Sequence, residues 1–206
     1  MADSTRRGRP RASDSTAHRA RVLAAARECL IDHGYERTTM LAIARRSGSS
    51  KETLYRWFGD KAGLFRTLIE AEGARTVEGI RHSLTDDGDP VDVLTEFAVR
   101  LLTLLTDDWS LTANRAAMSS PELAGFVLAH GRHAVGPEVE RYLAALHTQG
   151  RLDVPDPATS FTELYGLVVR DTQIRTLLGE CRPSRPAVRR QATDGVRAFC
   201  SLHIGS

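Results

Sequence analysis

The stretch from Thr38 to Phe65 constrains the fold more than any other part of the chain. It reads TTMLAIARRSGSSKETLYRWFGDKAGLF, which predicts a short helix from about Met40 to Ser47, a tight turn, a second short helix and the start of a third. Gly48 can take the positive φ that ends the first of these helices. Ser49 or Ser50 then caps the next one by accepting a hydrogen bond from a free backbone N–H.

The helix predicted from Lys51 to Trp57 is short and mostly polar. It carries donors and aromatic rings around one inward residue, Leu54, and closes on Phe58. A short helix with so few buried residues suits a reader of a DNA groove better than a core element. The stretch is therefore interpreted as a helix-turn-helix.

Charge is distributed unevenly along the chain. Residues 1–66 carry 14 Lys and Arg against 7 Asp and Glu, whereas the remaining 140 residues carry 14 against 19. A basic N-terminal third on an acidic body is typical of a nucleic-acid-binding domain joined to a domain that does not bind DNA. The alternative is a solvated run of charges without a partner.

Composition predicts a cytoplasmic protein with no membrane partner. No apolar run reaches the roughly 18 residues that a membrane span needs. Arg6-Arg7 has no apolar segment behind it, so no export signal is expected. The three cysteines, Cys29, Cys181 and Cys200, are few and far apart, and we expect reduced thiols.

The N-terminus is predicted to be a disordered basic arm over residues 1–16, because it is polar and lacks large apolar residues. Within it, Arg7-Gly8-Arg9-Pro10 resembles the core of an AT-hook, which enters a narrow minor groove. The favoured alternative is a flexible tail that only attracts phosphates. The first helix is predicted from Ala17 to His33, with Gly34 just beyond its end.

The remaining chain reads as helix throughout, so the predicted fold class is all-α. The domains expected are the arm at 1–16, a helix-turn-helix domain at 17–66 and a helical ligand-binding and dimerisation domain at 67–206. Further helices are predicted over residues 61–83, 91–106, 109–119 and 161–178, with a last one around 188–202. A helix that starts at Pro121 is expected to be interrupted by Gly131, Gly136 and Pro137 and to resume from Glu138.

Residues 18–70 resemble the DNA-binding domain of the TetR family of transcriptional regulators. The matching residues are His33-Gly34-Tyr35, Thr38-Thr39-Met40, Ile43-Ala44, Gly48, Ser50-Lys51, Thr53-Leu54-Tyr55, Phe58, Lys61 and Leu64-Phe65. Three residues depart from the family pattern: Ser49, Glu52 and Trp57.

The second region resembles the AefR-like C-terminal domain of the same family, on Pro121-Glu122-Leu123-Ala124, Gly150-Arg151-Leu152 and Gly166-Leu167. That resemblance implies a homodimer in which the last two helices pair with their copies. Both predicted helices have apolar stripes, and Gly195 would permit a close helix approach. A two-fold dimer places two recognition helices on a pseudo-palindromic operator in double-stranded DNA.

Roles at the DNA follow as hypotheses. Base edges are expected to be read by Ser50, Lys51, Glu52 and Thr53, because N-terminal residues of a recognition helix reach the bases. Phosphates are expected to bind Thr39, Tyr55, Trp57 and Lys61. Glu52 has an equal alternative as a carboxylate that only favours the helix dipole. For Tyr55 the alternative is a core aromatic.

The family resemblance also implies a cavity for a small molecule of unknown identity. Its candidate residues are Phe97, Leu101, Met118, Phe126, Tyr142 and Tyr165, each of which could instead be plain core. His130 and His133 stand three apart on one predicted helix, but no accompanying ligand pattern supports a metal. No metal and no cofactor are predicted.

The chain is therefore predicted to be a repressor that a small molecule releases from a palindromic operator. The alternatives are an activator, or a helical dimeric interaction module that has lost DNA binding. An enzyme is rejected, because the sequence contains no nucleophile elbow, P-loop, dinucleotide fingerprint or zinc signature.

Overall fold

The structure, a computed structural model, describes residues 12–84 and 88–204 of the 206. The chain divides into two compact units between Leu68 and Ile69. The described part is helical and contains no strand. None of its helices is both long and apolar enough to cross a membrane.

The first unit contains α1 (Ala12–Arg37), α2 (Met40–Ser47), α3 (Lys51–Phe58) and the start of α4 (Lys61–Ser83). Its buried side chains come from all four helices at helical spacing. They include Val22, Ala26, Leu30, Ile43, Leu54, Leu64, Phe65 and Leu68. The short helices thus gain their stability from a shared core, since an isolated helix of eight residues is marginal in water.

Helix α1 begins at Ala12, five residues before the predicted start at Ala17. Polar residues extend its N-terminus, and residues 15–17 stay exposed there, because a solvated helical turn needs no apolar side chain. The predicted arm lies outside the described residues up to residue 11, and so does the AT-hook-like Arg7-Gly8-Arg9-Pro10. At the other end, Gly34 leaves helical geometry at φ 74 and ψ 170, as expected.

The turn between α2 and α3 follows the predicted capping. Gly48 adopts φ 65 and ψ 29, and its N–H meets the carbonyls of Ala44 and Arg45. Ser50 rather than Ser49 caps α3, because its hydroxyl accepts from the N–H of Thr53 at 3.1 Å. Thr39 caps α2 in the same way, because its hydroxyl accepts from the N–H of Ala42 at 3.2 Å. These caps fix where each short helix starts and therefore which side chains it exposes.

The described residues of the second unit form the rest of α4 and seven further helices. They are α5 (Pro90–Leu105), α6 (Asp108–Met118), α7 (Pro121–His130), α8 (Arg132–Thr148), α9 (Pro157–Val169), α10 (Thr172–Leu177) and α11 (Arg185–Leu202). Helix α5 is the central element and packs against α11 and α9. The residues with little or no exposure around it include Leu94, Phe97, Leu102, Leu143, Val196 and Phe199.

Two predicted boundaries in this unit are wrong. The helix after Pro121 breaks only at Gly131, and α8 then runs through Gly136 and Pro137. Pro137 removes one backbone N–H, but the buried side chains of α8 on both sides keep the helix continuous. The single helix predicted over 161–178 is two helices, because Arg170 turns the backbone at φ 51.

Gly195 makes its close approach within the same chain. A Cβ at this position would lie 2.7 Å from the carbonyl oxygen of Leu167, so α11 and α9 touch backbone to backbone there. The glycine therefore serves packing inside the subunit and not the dimer contact predicted for it. All three cysteines are free; Cys29 and Cys200 are buried, and burial raises the pKa of Cys200 to about 11.

Candidate nucleic-acid interface and ligand cavity

Helix α3 presents one anchoring side and one exposed side. Leu54 is fully buried and Phe58 nearly so, whereas Lys51, Glu52 and Tyr55 are exposed. At about 100° per residue, the next exposed residue, Arg56, points away from the buried pair. Arg56 was missing from the predicted set, although a helical wheel drawn on Leu54 and Phe58 would have found it.

The exposed side of α3 carries charge and aromatic surface together. Tyr55 is 44% exposed, so the alternative of a core aromatic is wrong. The Nζ of Lys51 lies 5.5 Å from the centroid of the Tyr55 ring, within reach of a cation–π contact. Both side chains are directed to solvent from a helix whose opposite side is fixed in the core.

Polar side chains in the first turn of α3 form hydrogen bonds within that turn. The Ser50 hydroxyl caps the Thr53 N–H and lies 3.0 Å from the Thr53 hydroxyl. The pKa of Glu52 is lowered, first by a hydrogen bond from its own backbone N–H and then by one from Ser50. This geometry favours the alternative in which Glu52 is a carboxylate at a helix N-terminus.

Lys61 ties the start of α4 to the end of α1. Its Nζ donates to the carbonyl of Tyr35 at 2.9 Å and to that of Glu36 at 3.3 Å, and lies 4.3 Å from the Tyr35 ring centroid. An ammonium group has three N–H donors, so one remains for a phosphate. Lys61 therefore has a structural role in addition to the phosphate contact predicted for it.

Trp57 and Ser49, two of the departures from the family pattern, meet the same partner. The Trp57 ring is half-buried and lies edge-on to His18 of α1, with ring centroids 5.0 Å apart. The Nε2 of His18 lies 2.6 Å from the Ser49 hydroxyl. His18 thus connects α1 to the turn and to α3, an arrangement that no local sequence signal shows.

A basic cleft lies beside α3, where α1 passes it. Its lining residues are Ser15, Ala17, His18, Arg21, Thr53, Arg56 and Trp57. Arg21 and Arg56 are both exposed, and no carboxylate of the described residues pairs with either guanidinium. Two uncompensated cations with a hydroxyl and a ring nearby form a surface that suits a phosphodiester. Arg21 is a further residue that the sequence interpretation missed, because only the tertiary structure places it here.

The second unit contains a partly open cavity of about 230 Å³ among α4 to α10. Two of the six predicted ligand residues, Leu101 and Tyr165, line it. Phe97 and Tyr142 are instead buried in the core around α5, because helical spacing marks burial but not which buried face meets a cavity. Their predicted ligand role has no support from the geometry.

The other predicted positions also lie elsewhere. Met118 is 68% exposed at the end of α6, and Phe126 stacks on His130 with the ring planes 14° apart. His130 ends α7 whereas His133 belongs to α8, so the two do not share one helix. Within the described residues, no group of three His, Cys, Asp or Glu is placed to hold a metal.

Arg132 lines the cavity beside two aromatic rings. Its guanidinium carbon lies 4.5 Å from the centroid of the Tyr165 ring and 5.3 Å from that of Phe161. Burial raises the pKa of the Tyr165 hydroxyl, and the positive charge of Arg132 partly offsets this. The hydroxyl therefore stays protonated at neutral pH and remains a hydrogen-bond donor.

A helix-turn-helix unit with an exposed basic side, followed by an all-helical unit around a cavity, defines a class: helix-turn-helix regulators with a separate ligand domain. Comparison with known proteins agrees. Residues 22–68 match the bacterial regulatory proteins of the tetR family. Residues 92–202 match the C-terminal domain of AefR-like transcriptional repressors.

Solved structures share the fold over nearly the whole chain. A TetR transcriptional regulator from Agrobacterium tumefaciens is 30% identical, with a TM-score of 0.73 over 90% of this chain and 94% of that one. A TetR-family regulator from Mesorhizobium loti is 23% identical, with a TM-score of 0.84 over 92% and 98% of the two chains. The chain belongs to the TetR family.

Curated relatives match over shorter lengths. The HTH-type transcriptional repressor AcnR of Corynebacterium glutamicum is 36% identical over 63 residues, which are 31% of this chain and 34% of that protein. The chain thus spans about a third of the length of this curated relative.

Proposed function

We propose that the protein is a dimeric transcriptional repressor that binds a pseudo-palindromic operator through α3 and is released by a small molecule in the second-unit cavity. The observation that carries the proposal is that α3 has one buried side and one exposed side. Leu54 and Phe58 anchor one side, while Lys51, Tyr55 and Arg56 stand exposed on a basic unit. Such a helix can enter a DNA groove at little cost in free energy, because its exposed side chains need no rearrangement.

Contacts to DNA fall into two groups. Lys51 is proposed to pair with guanine and Thr53 to touch a thymine methyl, with Ser50 and Glu52 as weaker candidates since both take part in capping. Tyr55, Thr39, Trp57 and the remaining donor of Lys61 are proposed to bind phosphates. Arg56 and Arg21 extend this phosphate-binding set through the basic cleft.

The dimer is proposed to form on the last helices of the second unit. Ile174, Leu178, Leu202 and Ile204 are large apolar residues that are 45–80% exposed, and covering them would remove apolar surface from water. In sedimentation equilibrium, Leu178→Glu should shift the protein towards monomer. Met118→Glu, a matched change at an equally apolar exposed position outside this group, should leave the dimer intact.

Release by a ligand requires different affinities for two states of the protein. A small molecule that binds the DNA-competent and the released state equally cannot shift the equilibrium, however tightly it binds. We therefore propose that the ligand favours a form of the second unit with lower affinity for the operator. Helix α4 contributes residues to both units and is the element in which such a change would be sought.

A gel shift with the DNA upstream of the protein's own gene tests DNA binding. A dimer that neutralises about eight phosphates should lose roughly 10⁴ in affinity between 50 and 200 mM salt. Lys51→Ala should cost about 1–3 kcal/mol and relax specificity at one base, whereas Arg56→Ala and Arg21→Ala should weaken binding to all sequences. Arg100→Ala, an exposed arginine of the second unit, is the matched control.

Two outcomes would decide against the proposal. A dimer that gives no specific retardation at low salt would point to the interaction module that has lost DNA binding. A specific complex whose affinity is unchanged by Lys51→Ala and Arg56→Ala would mean that α3 is not the reading helix.

A further inference from the structure

Arg132 is a charged residue of the cavity lining that has no ion-pair partner among the described side chains. Its guanidinium packs over Tyr165 and Phe161, hydrogen-bonds to the Tyr165 hydroxyl and makes a long contact, 3.5 Å, to the Thr162 hydroxyl. No carboxylate within residues 15–84 or 88–204 forms an ion pair with it. A half-buried guanidinium with free N–H donors strongly favours an anionic partner.

The other formal charge of the lining is already compensated. Glu72 also faces the cavity, with 19% of its side chain exposed, but its carboxylate pairs with Arg75 at 2.8 Å. A cationic ligand would have to compete with Arg75 for this carboxylate and would meet repulsion from Arg132. The cavity is therefore better suited to a negative than to a positive ligand.

Apolar residues make up much of the remaining lining, beside the polar residues Thr76, Ser110, Asn114, His130 and Gln173. The apolar part of the lining includes Leu101, Leu104, Leu105, Trp109 and Val135. The volume of about 230 Å³ falls below the roughly 300–1,000 Å³ of pockets for drug-sized ligands. The space fits one aromatic ring or a short acyl chain, and not a large polycyclic molecule.

We propose that the cavity binds a small carboxylic acid, with the carboxylate on the Arg132 guanidinium and the apolar body against Leu101, Trp109 and Val135. The Tyr165 hydroxyl donates a second hydrogen bond to the carboxylate. This inference rests on the proposed role of the cavity as the site of the releasing ligand. It adds the chemical class of that ligand and the residue that selects it.

Binding can be measured without DNA, because the chain contains two tryptophans and one of them, Trp109, lines the cavity. In a Trp57→Phe background, the fluorescence of Trp109 reports ligand binding to the full-length protein. The probes are benzoate and octanoate, each compared with its neutral amide, and benzylamine as a cation of similar size. We expect each acid to bind at least tenfold more tightly than its amide and benzylamine to bind most weakly.

Variants assign the preference to Arg132. Arg132→Gln should weaken acid binding roughly 10- to 100-fold and remove the difference between acid and amide. Arg132→Lys keeps the charge without the planar contact to the two rings, so acids should bind less tightly but remain preferred over amides. Arg100→Gln should behave like the parent protein, and circular dichroism should show that every variant is folded.

Three outcomes would overturn the inference: equal binding of acids and amides, unchanged acid binding by Arg132→Gln, or the tightest binding by benzylamine. The absence of binding by every probe at millimolar concentration would overturn it as well. A separate arm adds benzoate or octanoate to the gel shift with Trp57 retained, where the acid should release DNA from the unsubstituted protein but not from Arg132→Gln. Failure of the gel shift itself would refute the proposed regulator, while the fluorescence result would still decide the ligand class.

Discussion

Replacing Gly63 with alanine is expected to displace the C-terminal end of the recognition helix α3. Gly63 is buried in the first turn of α4, where its N–H donates to the Asp60 carboxylate at 2.7 Å. An added Cβ would lie 2.0 Å from the carbonyl oxygen of Phe58, the last residue of α3. Because real Cβ contacts essentially never fall under 3.0 Å, α3 or α4 has to move by about 1 Å.

The cost can be worked out from two opposing effects. Overpacking a well-filled site costs about 1–3 kcal/mol, while alanine in place of glycine inside a helix returns about 1 kcal/mol. Gly79→Ala isolates the second effect, because nothing lies within 4 Å of a Cβ at this position of α4. The two variants should therefore differ by roughly 1–3 kcal/mol, with Gly79→Ala the more stable.

Urea denaturation measures this difference as a shift of the midpoint at unchanged slope. The same variants are then tested for operator binding in the gel shift. A displacement of α3 that misaligns one base contact should cost about 1–3 kcal/mol of operator binding, whereas Gly79→Ala should bind like the parent. If Gly63→Ala were as stable as Gly79→Ala and bound the operator normally, the argued steric contact between α4 and α3 would be refuted.

Three further changes test individual contacts. Ser50→Ala removes the cap of α3 and should lower the free energy of unfolding by about 1 kcal/mol, as measured in urea. Lys61→Met removes two hydrogen bonds to carbonyls at the end of α1 and should lower the free energy of unfolding by roughly 1–2 kcal/mol. An unchanged melting temperature would mean that Lys61 has no structural role and only the proposed contact to phosphate. Arg81, followed by Arg141, lowers the pKa of Glu138, so this ion pair stabilises the protein at neutral pH. Its contribution is lost as the pH falls below the ordinary carboxyl range. Glu138→Gln should therefore cost about 0.5 kcal/mol at pH 7 and progressively less as the pH falls through the lowered pKa of this carboxyl.

Elements with strong local signals were predicted closely from the sequence. The boundaries of α2 match the prediction, and α3 differs by one residue at its end. Gly48 and Ser50 explain this success, because a positive φ and a side-chain cap act over three or four residues. Boundaries without such signals were missed. Nothing local marks Arg170 as a break, and nothing local shows that packing carries α8 through Pro137.

Residue types and spacing alone determined that the chain is all-α and that its N-terminal third contains a basic helix-turn-helix. Helical periodicity, caps and charge can be recognised within short stretches of sequence, without knowledge of any long-range contact. The tertiary structure decided which side chains share a site. It placed Arg21 and Arg56 in the same cleft and bound the Lys61 ammonium to carbonyls of α1. It also left Arg132 without an ion-pair partner among the described carboxylates, in a cavity whose lining does not include Phe97 or Tyr142. These facts depend on distances between residues far apart in sequence, which only the packing of one helix on another sets.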